Sequence, residues 1–141
     1  MIMPVITVRQ PMATWIVDGI QKIEARSHMW FNSLVGQRVL IHVGNRIDLY
    51  VKDRPYITDE MLRVKPLELP RGCIIGSVVV DGARFLGADD EHLAFTDCQS
   101  KVRYGLLLSN PDKFMEPIFV PGSIGIWHFD IETKQKIHDE V

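Results

Sequence analysis

Between Arg9 and Arg26 the chain reads RQPMATWIVDGIQKIEAR. That stretch must pass from a strand through a short apolar helix and back to a strand in very little length. Thr7 and Val8 end a run of β-formers, and Pro11 follows Gln10. Proline suits a first helical turn, where its missing N–H is not needed. Met12 to Asp18 carries Trp15, Ile16 and Val17, and Gly19 tolerates the positive φ that ends a helix. After Gly19, Lys22, Ile23, Glu24, Ala25 and Arg26 alternate polar and apolar, a period of two. The alternation predicts a strand with Lys22, Glu24 and Arg26 on one face and Ile23 and Ala25 on the other.

That polar face is the sharpest chemical feature of the chain. A Glu and an Arg two apart on one strand face can pair, and a nearby Lys makes a mixed-charge cluster suited to a polar ligand. The plain alternative is a solvated face with a surface ion pair worth ~0–1 kcal/mol.

A length of 141 residues predicts one domain, 1–141, with an ordinary core. Hydrophobic residues make up 46% and charged residues 24%, the balance of a globular protein. No apolar run approaches the ~18 residues of a membrane span. The opening MIMPVITV has neither the basic region nor the apolar core of a signal peptide, so a cytoplasmic location is expected. Cys73 and Cys98 stand far apart and form no CxxC, and the five histidines are scattered, so two free thiols and no metal or cofactor are expected. A net charge of −2 argues against strong nonspecific nucleic-acid binding. Basic residues nevertheless outnumber acidic ones up to Pro70, which leaves room for a locally basic face.

The rest of the chain reads as short strands. Val5 to Val8 is the clearest part of the first. Ser27 to Val35 reads as a loop packed by aromatics, with Trp30 as core cover or as a stacking platform. Val39 to Val43 is a buried strand carrying His42, either a hydrogen-bonded core histidine or a cleft residue. Thr58, Asp59 and Glu60 resemble the start of a brief helix, with Thr58 as N-cap. Nearby, Lys52, Arg54, Arg63 and Lys65 form either a phosphate-binding rim or a solvated surface. Gly72 to Ala83 is a long strand, with a bulge or close approach at Gly76 and a turn at Asp81-Gly82. Gly87 to Glu91 reads as an exposed acidic loop. Val102 to Asn110 is a strand, Pro111 to Pro117 a connection and Gly125 to Phe129 the last strand, with Trp127 in the core. The tail from Ile131 reads as a short helix or a frayed end. The expected class is α+β, mainly β: a small barrel with an early short helix and one further helix at the rim.

These segments, in this order, resemble the ASCH domain family, whose fold is a PUA-like β-barrel. Gln10, Pro11 and Ala13, then Gly19, Glu24 and Arg26, match a family pattern of Q-P-W-A, a short helix and G-x-K-x-x-E-x-R. GQRVLIHVGNR, the glycine-bearing strand from Gly72, the YGLLLSN segment and PGSIGIWHFD match later family segments. The chain departs at Met12, where the family usually has Trp, and at Gln21, which takes the motif lysine's place with Lys22 next to it.

The resemblance implies recognition of RNA or a nucleoside-like small molecule in a polar cleft between the early helix and the barrel. Gln10, Gln21, Glu24, Arg26 and His42 are the implied binding residues. Carboxylates accept from exocyclic amines, and guanidinium groups grip phosphates or carbonyls in a forked geometry. The alternative is an enzyme: an amidohydrolase acting on acetylated cytidine, as in one bacterial branch, or a ribonuclease of the same family. Lys22 and Glu24 are then the candidate catalytic pair, Lys22 as base or nucleophile with a lowered pKa and Glu24 orienting it. A small-ligand or protein-interaction domain is the third reading. No membrane, no metal and a monomer or weak dimer complete the expectations.

Overall fold

The structure is a computed structural model that describes residues 1–26, 29–98 and 103–138, with Met29 and Trp30 described by backbone only. The reading of Trp30 therefore lies outside the described side chains. Seven strands form one sheet: β1 (Ile2–Gln10), β2 (Ile23–Arg26), β3 (Arg38–Ile47), β4 (Cys73–Phe85), β5 (Tyr104–Phe119), β6 (Trp127–Asp130) and β7 (Gln135–Ile137). Their order is β2-β5-β4-β3-β1-β6-β7, and β1 runs parallel to β3 while the other pairs are antiparallel. The mainly-β α+β class is as expected, but the sheet is not closed into a barrel. It curls until β2, at one edge, faces β1 across a seam, where Arg26 Nη2 donates to the Thr7 carbonyl at 2.9 Å.

The helix α1 (Met12–Val17) fills the inside of this curl. All six of its residues are buried, as fits a helix that is apolar all round. Its end is a Schellman motif: Gly19 N–H bonds Ile16 O at 3.1 Å and Ile20 N–H bonds Trp15 O at 2.9 Å, with Gly19 at φ +80°. The chain thereby turns sharply and enters β2. Trp15 meets Phe95 edge-on, centroids 5.8 Å apart, and joins the main core with Ile6, Ile41, Val78 and Leu106.

Several local expectations change. Asp81-Gly82 is no turn: β4 continues to Phe85, with a register shift between Val80 and Gly82. Pro111 to Pro117 is no connection either, because β5 runs unbroken from Tyr104 to Phe119 against β4. The pairing absorbs the irregular residues as bulges. Gly76 allows the close approach expected of it, since an added Cβ would lie 2.3 Å from the Asp112 carbonyl oxygen. The helix expected after Thr58 is a single 3₁₀ turn, Met61–Arg63, with Glu60 in the N-cap place instead of Thr58, whose Oγ1 accepts from Met61 N–H. The short rim helix is α2 (Glu91–Ala94). It begins at Glu91, the last residue of the segment read as an exposed acidic loop, where Asp90 and Glu91 are in fact buried. Asp90 accepts two bonds from Arg84, at 2.6 and 2.7 Å, which satisfies its charge. The tail after Ile131 folds back as β7 and pairs with β6.

Candidate functional site

The seam between β1 and β2 opens into a cleft built from three directions. β2 contributes Glu24 and Arg26, whose shared face follows from strand alternation; Glu24 Oε1 lies 3.9 Å from Arg26 Nε. The loop after β3 contributes Arg54, held by Asp48 at 2.7 Å and by the Phe95 carbonyl at 3.3 Å. Arg103 immediately precedes β5, and the β2–β5 register, which pairs Arg26 with Tyr104, brings it to the seam. Two adjoining cavities, about 320 and 360 Å³, share Met12, Glu24, Ala25, Arg54 and Arg103 in their walls. Gln21 and Thr96 line the first; Thr7, Arg9 and Arg26 line the second.

Four polar side-chain atoms among the described residues are buried with no hydrogen-bond partner in the protein: Gln21 Oε1, Glu24 Oε2, Arg26 Nε and Arg103 Nε. All four residues line this cleft. Folded proteins rarely leave such atoms unpaired, because each costs about 1–3 kcal/mol. Burial pushes the Glu24 carboxyl above its ordinary value of 4.5, and the opposing Arg26 and Arg54 charges do not cancel that effect.

The sequence-derived residues divide into distinct positions. Glu24, Arg26 and Gln21 meet at the cleft, with the Gln21 side-chain amide donating to the Ile23 carbonyl at 3.0 Å. Gln10 is fully buried and occupied: its carbonyl accepts from Thr14 N–H and Oγ1–H, at 3.1 and 2.9 Å, and its amide donates to Pro70 O. It fixes the strand-to-helix turn. Lys22 precedes β2, is exposed, and lines a neighbouring cavity with Gly19, Gln21, Val78 and Pro111 instead of the wall of the Glu24 cleft. Arg26 has a structural role as well, through the bond to Thr7 and a guanidinium 4.8 Å from the Phe31 ring.

His42 lies across β1 from the cleft. It is buried, with Nε2 donating to the Val120 carbonyl at 2.7 Å, which leaves Nδ1 to accept from Thr7 Oγ1 at 3.2 Å. Trp127 Nε1 donates to the same Thr7 oxygen at 3.2 Å. Burial lowers the His42 pKa below 6.5, against the Val120 bond, so the ring is neutral at pH 7. It forms part of the wall of a further cavity of about 520 Å³.

Arg103 has no counterpart among the sequence-derived residues. Its position depends on the β2–β5 register, and no local motif announces that. Arg54 was visible only as one of four loop cations. Among the described residues no three His, Cys, Asp or Glu side chains gather as a metal site would need, and no helix is long and apolar enough to cross a membrane.

Comparison with known proteins places this architecture. No protein-family model matches the chain. The crystal structure of ASCH from Zymomonas mobilis superposes with a TM-score of 0.53 at 15% identity, over 82% of this chain and 72% of that one. A serine-to-alanine mutant of the same protein gives a TM-score of 0.54 at 15% identity, over 83% of this chain and 73% of that one. The fold is therefore that of an ASCH domain, and the resemblance to the ASCH family carried by the sequence motifs is borne out. Among curated sequences, mouse activating signal cointegrator 1 is 25% identical over 134 residues. That match covers 92% of this chain and 23% of the mouse protein, so the chain spans about a quarter of that relative's length.

Proposed function

We propose that the Glu24 cleft binds a nucleobase, presented by RNA or by a free or modified nucleoside. The observation that carries this reading is that the four residues holding a buried polar atom without a hydrogen-bond partner, among the described residues, all line one cleft. Gln21 and Glu24 supply acceptors; Arg26 and Arg103 supply donors. The edge of an amino-bearing base offers the complement, an exocyclic amine beside a ring nitrogen or carbonyl. A carboxylate accepting from the amine of cytosine is a familiar pairing of this kind. The cavity volumes suit a small organic ligand, and the Met12 side chain supplies an apolar contact.

The test is a calorimetric titration with cytidine, uridine and adenosine. Cytidine and adenosine are expected to bind more tightly than uridine, which lacks the amine. Glu24→Gln replaces a charged acceptor with a neutral one of the same shape, and should weaken cytidine binding about 10–100-fold. Equal affinity of wild type and variant would move the site elsewhere.

The amidohydrolase reading needs a lysine beside Glu24. Lys22 lines another cavity, and of these two neighbours only Gln21 also lines the Glu24 cleft. Acetylcytidine is therefore expected to be bound and released unchanged, as chromatography of the reaction mixture would show. Cytidine production that disappears in Lys22→Ala would restore the lysine chemistry.

A further inference from the structure

The base cleft has a neighbour across β1. Its wall at Thr7, Val8 and Arg9 is also a wall of the His42 cavity, so the two spaces flank the same three residues of one strand. Their electrostatics differ. Glu24, Asp53 and Asp97 line the base cleft along with its arginines. Among the described residues no acidic one lines the His42 cavity, which has Arg9 and Arg46 in its wall. Both guanidinium groups belong to exposed residues, and neither takes part in an ion pair among the described residues. The His42 ring adds no charge, since burial keeps it neutral. Asn45 and Ser123 add neutral polar groups. Gly122 brings the loop backbone down onto the histidine: an added Cβ there would lie 2.6 Å from His42 Cε1 and 3.1 Å from Thr7 Oγ1. The result is a wide, acid-free, cationic hollow on a chain whose net charge is −2. A local field of that sign selects an anion, and guanidinium donors suit a phosphate above other anions.

We propose that the Glu24 cleft and the His42 cavity are two subsites of one groove, and that the ligand is a single-stranded oligonucleotide whose phosphodiester crosses Arg9 between them. The inference rests on the reading of the Glu24 cleft as a base site. It adds that a free nucleoside fills only half of the groove. The second nucleotide lies in the His42 cavity, with Arg46 on its phosphate.

The experiment titrates the full chain with cytidine, cytidine 3′-monophosphate and the dinucleotide CpC at three salt concentrations, in wild type and in Arg46→Glu. The wild type should bind CpC at least tenfold more tightly than cytidine, with the monophosphate between them. The advantage should shrink as salt rises, because phosphate contacts release counterions. Arg46→Glu should bring the CpC-to-cytidine affinity ratio toward one. Cytidine binding with no advantage for CpC at low salt, or an advantage that survives Arg46→Glu, would overturn the two-subsite groove and leave the base cleft standing. Failure of every probe to bind the wild type would overturn the base cleft itself, and the groove with it.

Discussion

Glu24 carries a carboxyl group into a cleft where one of its oxygens has no partner in the protein. Its folded pKa lies above that of the unfolded chain, so the folded state holds the proton more tightly. Stability from this group is complete below about 4.5 and is lost as pH rises through the folded value. Glu24→Gln cannot ionise. Its stability relative to wild type should therefore increase with pH, so that at pH 7 and above it melts at or above the wild-type temperature while binding ligand less well. Thermal melts from pH 4 to 8 check this, and a variant that loses stability relative to wild type as pH rises would contradict it. His42 has the opposite sign. Its pKa is depressed, so its contribution is present above 6.5 and is lost as pH falls through the folded value. His42→Gln should flatten that acid limb in the same set of melts. The Glu24–Arg26 pairing was legible because strand alternation is local. The cost at Glu24 was not, because it comes from burial, which tertiary packing sets, and is only partly offset by Arg26 and the sequence-distant Arg54.

At the scale of elements, the turn from β1 through α1 to β2 was readable in nearly every feature: the proline, the apolar run, the terminal glycine and the alternation after it. Each is a local backbone preference, and tertiary structure agrees with all of them. α1 is the plug of the curled sheet, so Trp15→Ala should cost about 3–5 kcal/mol in denaturant unfolding, as loss of a large buried aromatic does. The β4–β5 ribbon was read less well. Asp81-Gly82 and Pro111–Pro117 carry turn chemistry, yet the long antiparallel pairing takes both in as bulges. The tight spot of that ribbon is Gly76, backed by the Asp112 carbonyl and the Val17 side chain. Gly76→Ala should lower stability by at least about 1–3 kcal/mol, because the obstacle is backbone that cannot rotate away. A near-neutral effect in denaturant unfolding would show that the ribbon yields there.

Across the whole molecule, the decisive feature is the seam. Motifs along the chain could indicate a small sheet wrapped around a helix, but not whether its edge strand β2 meets β1. The two do not pair; they are linked instead through Arg26 and the Thr7 carbonyl, and the cleft lies in the gap. Arg26 is therefore both latch and wall. Arg26→Ala should lower stability and binding together, which makes Glu24→Gln the cleaner probe of function. The most direct measurement is a crystal structure of the chain with cytidine. The account predicts the base in the seam, its exocyclic amine within hydrogen-bond distance of the Glu24 carboxylate, and its acceptor edge toward Arg26 or Arg103. Cytidine bound elsewhere on the surface, with Glu24 Oε2 still unpartnered, would contradict it.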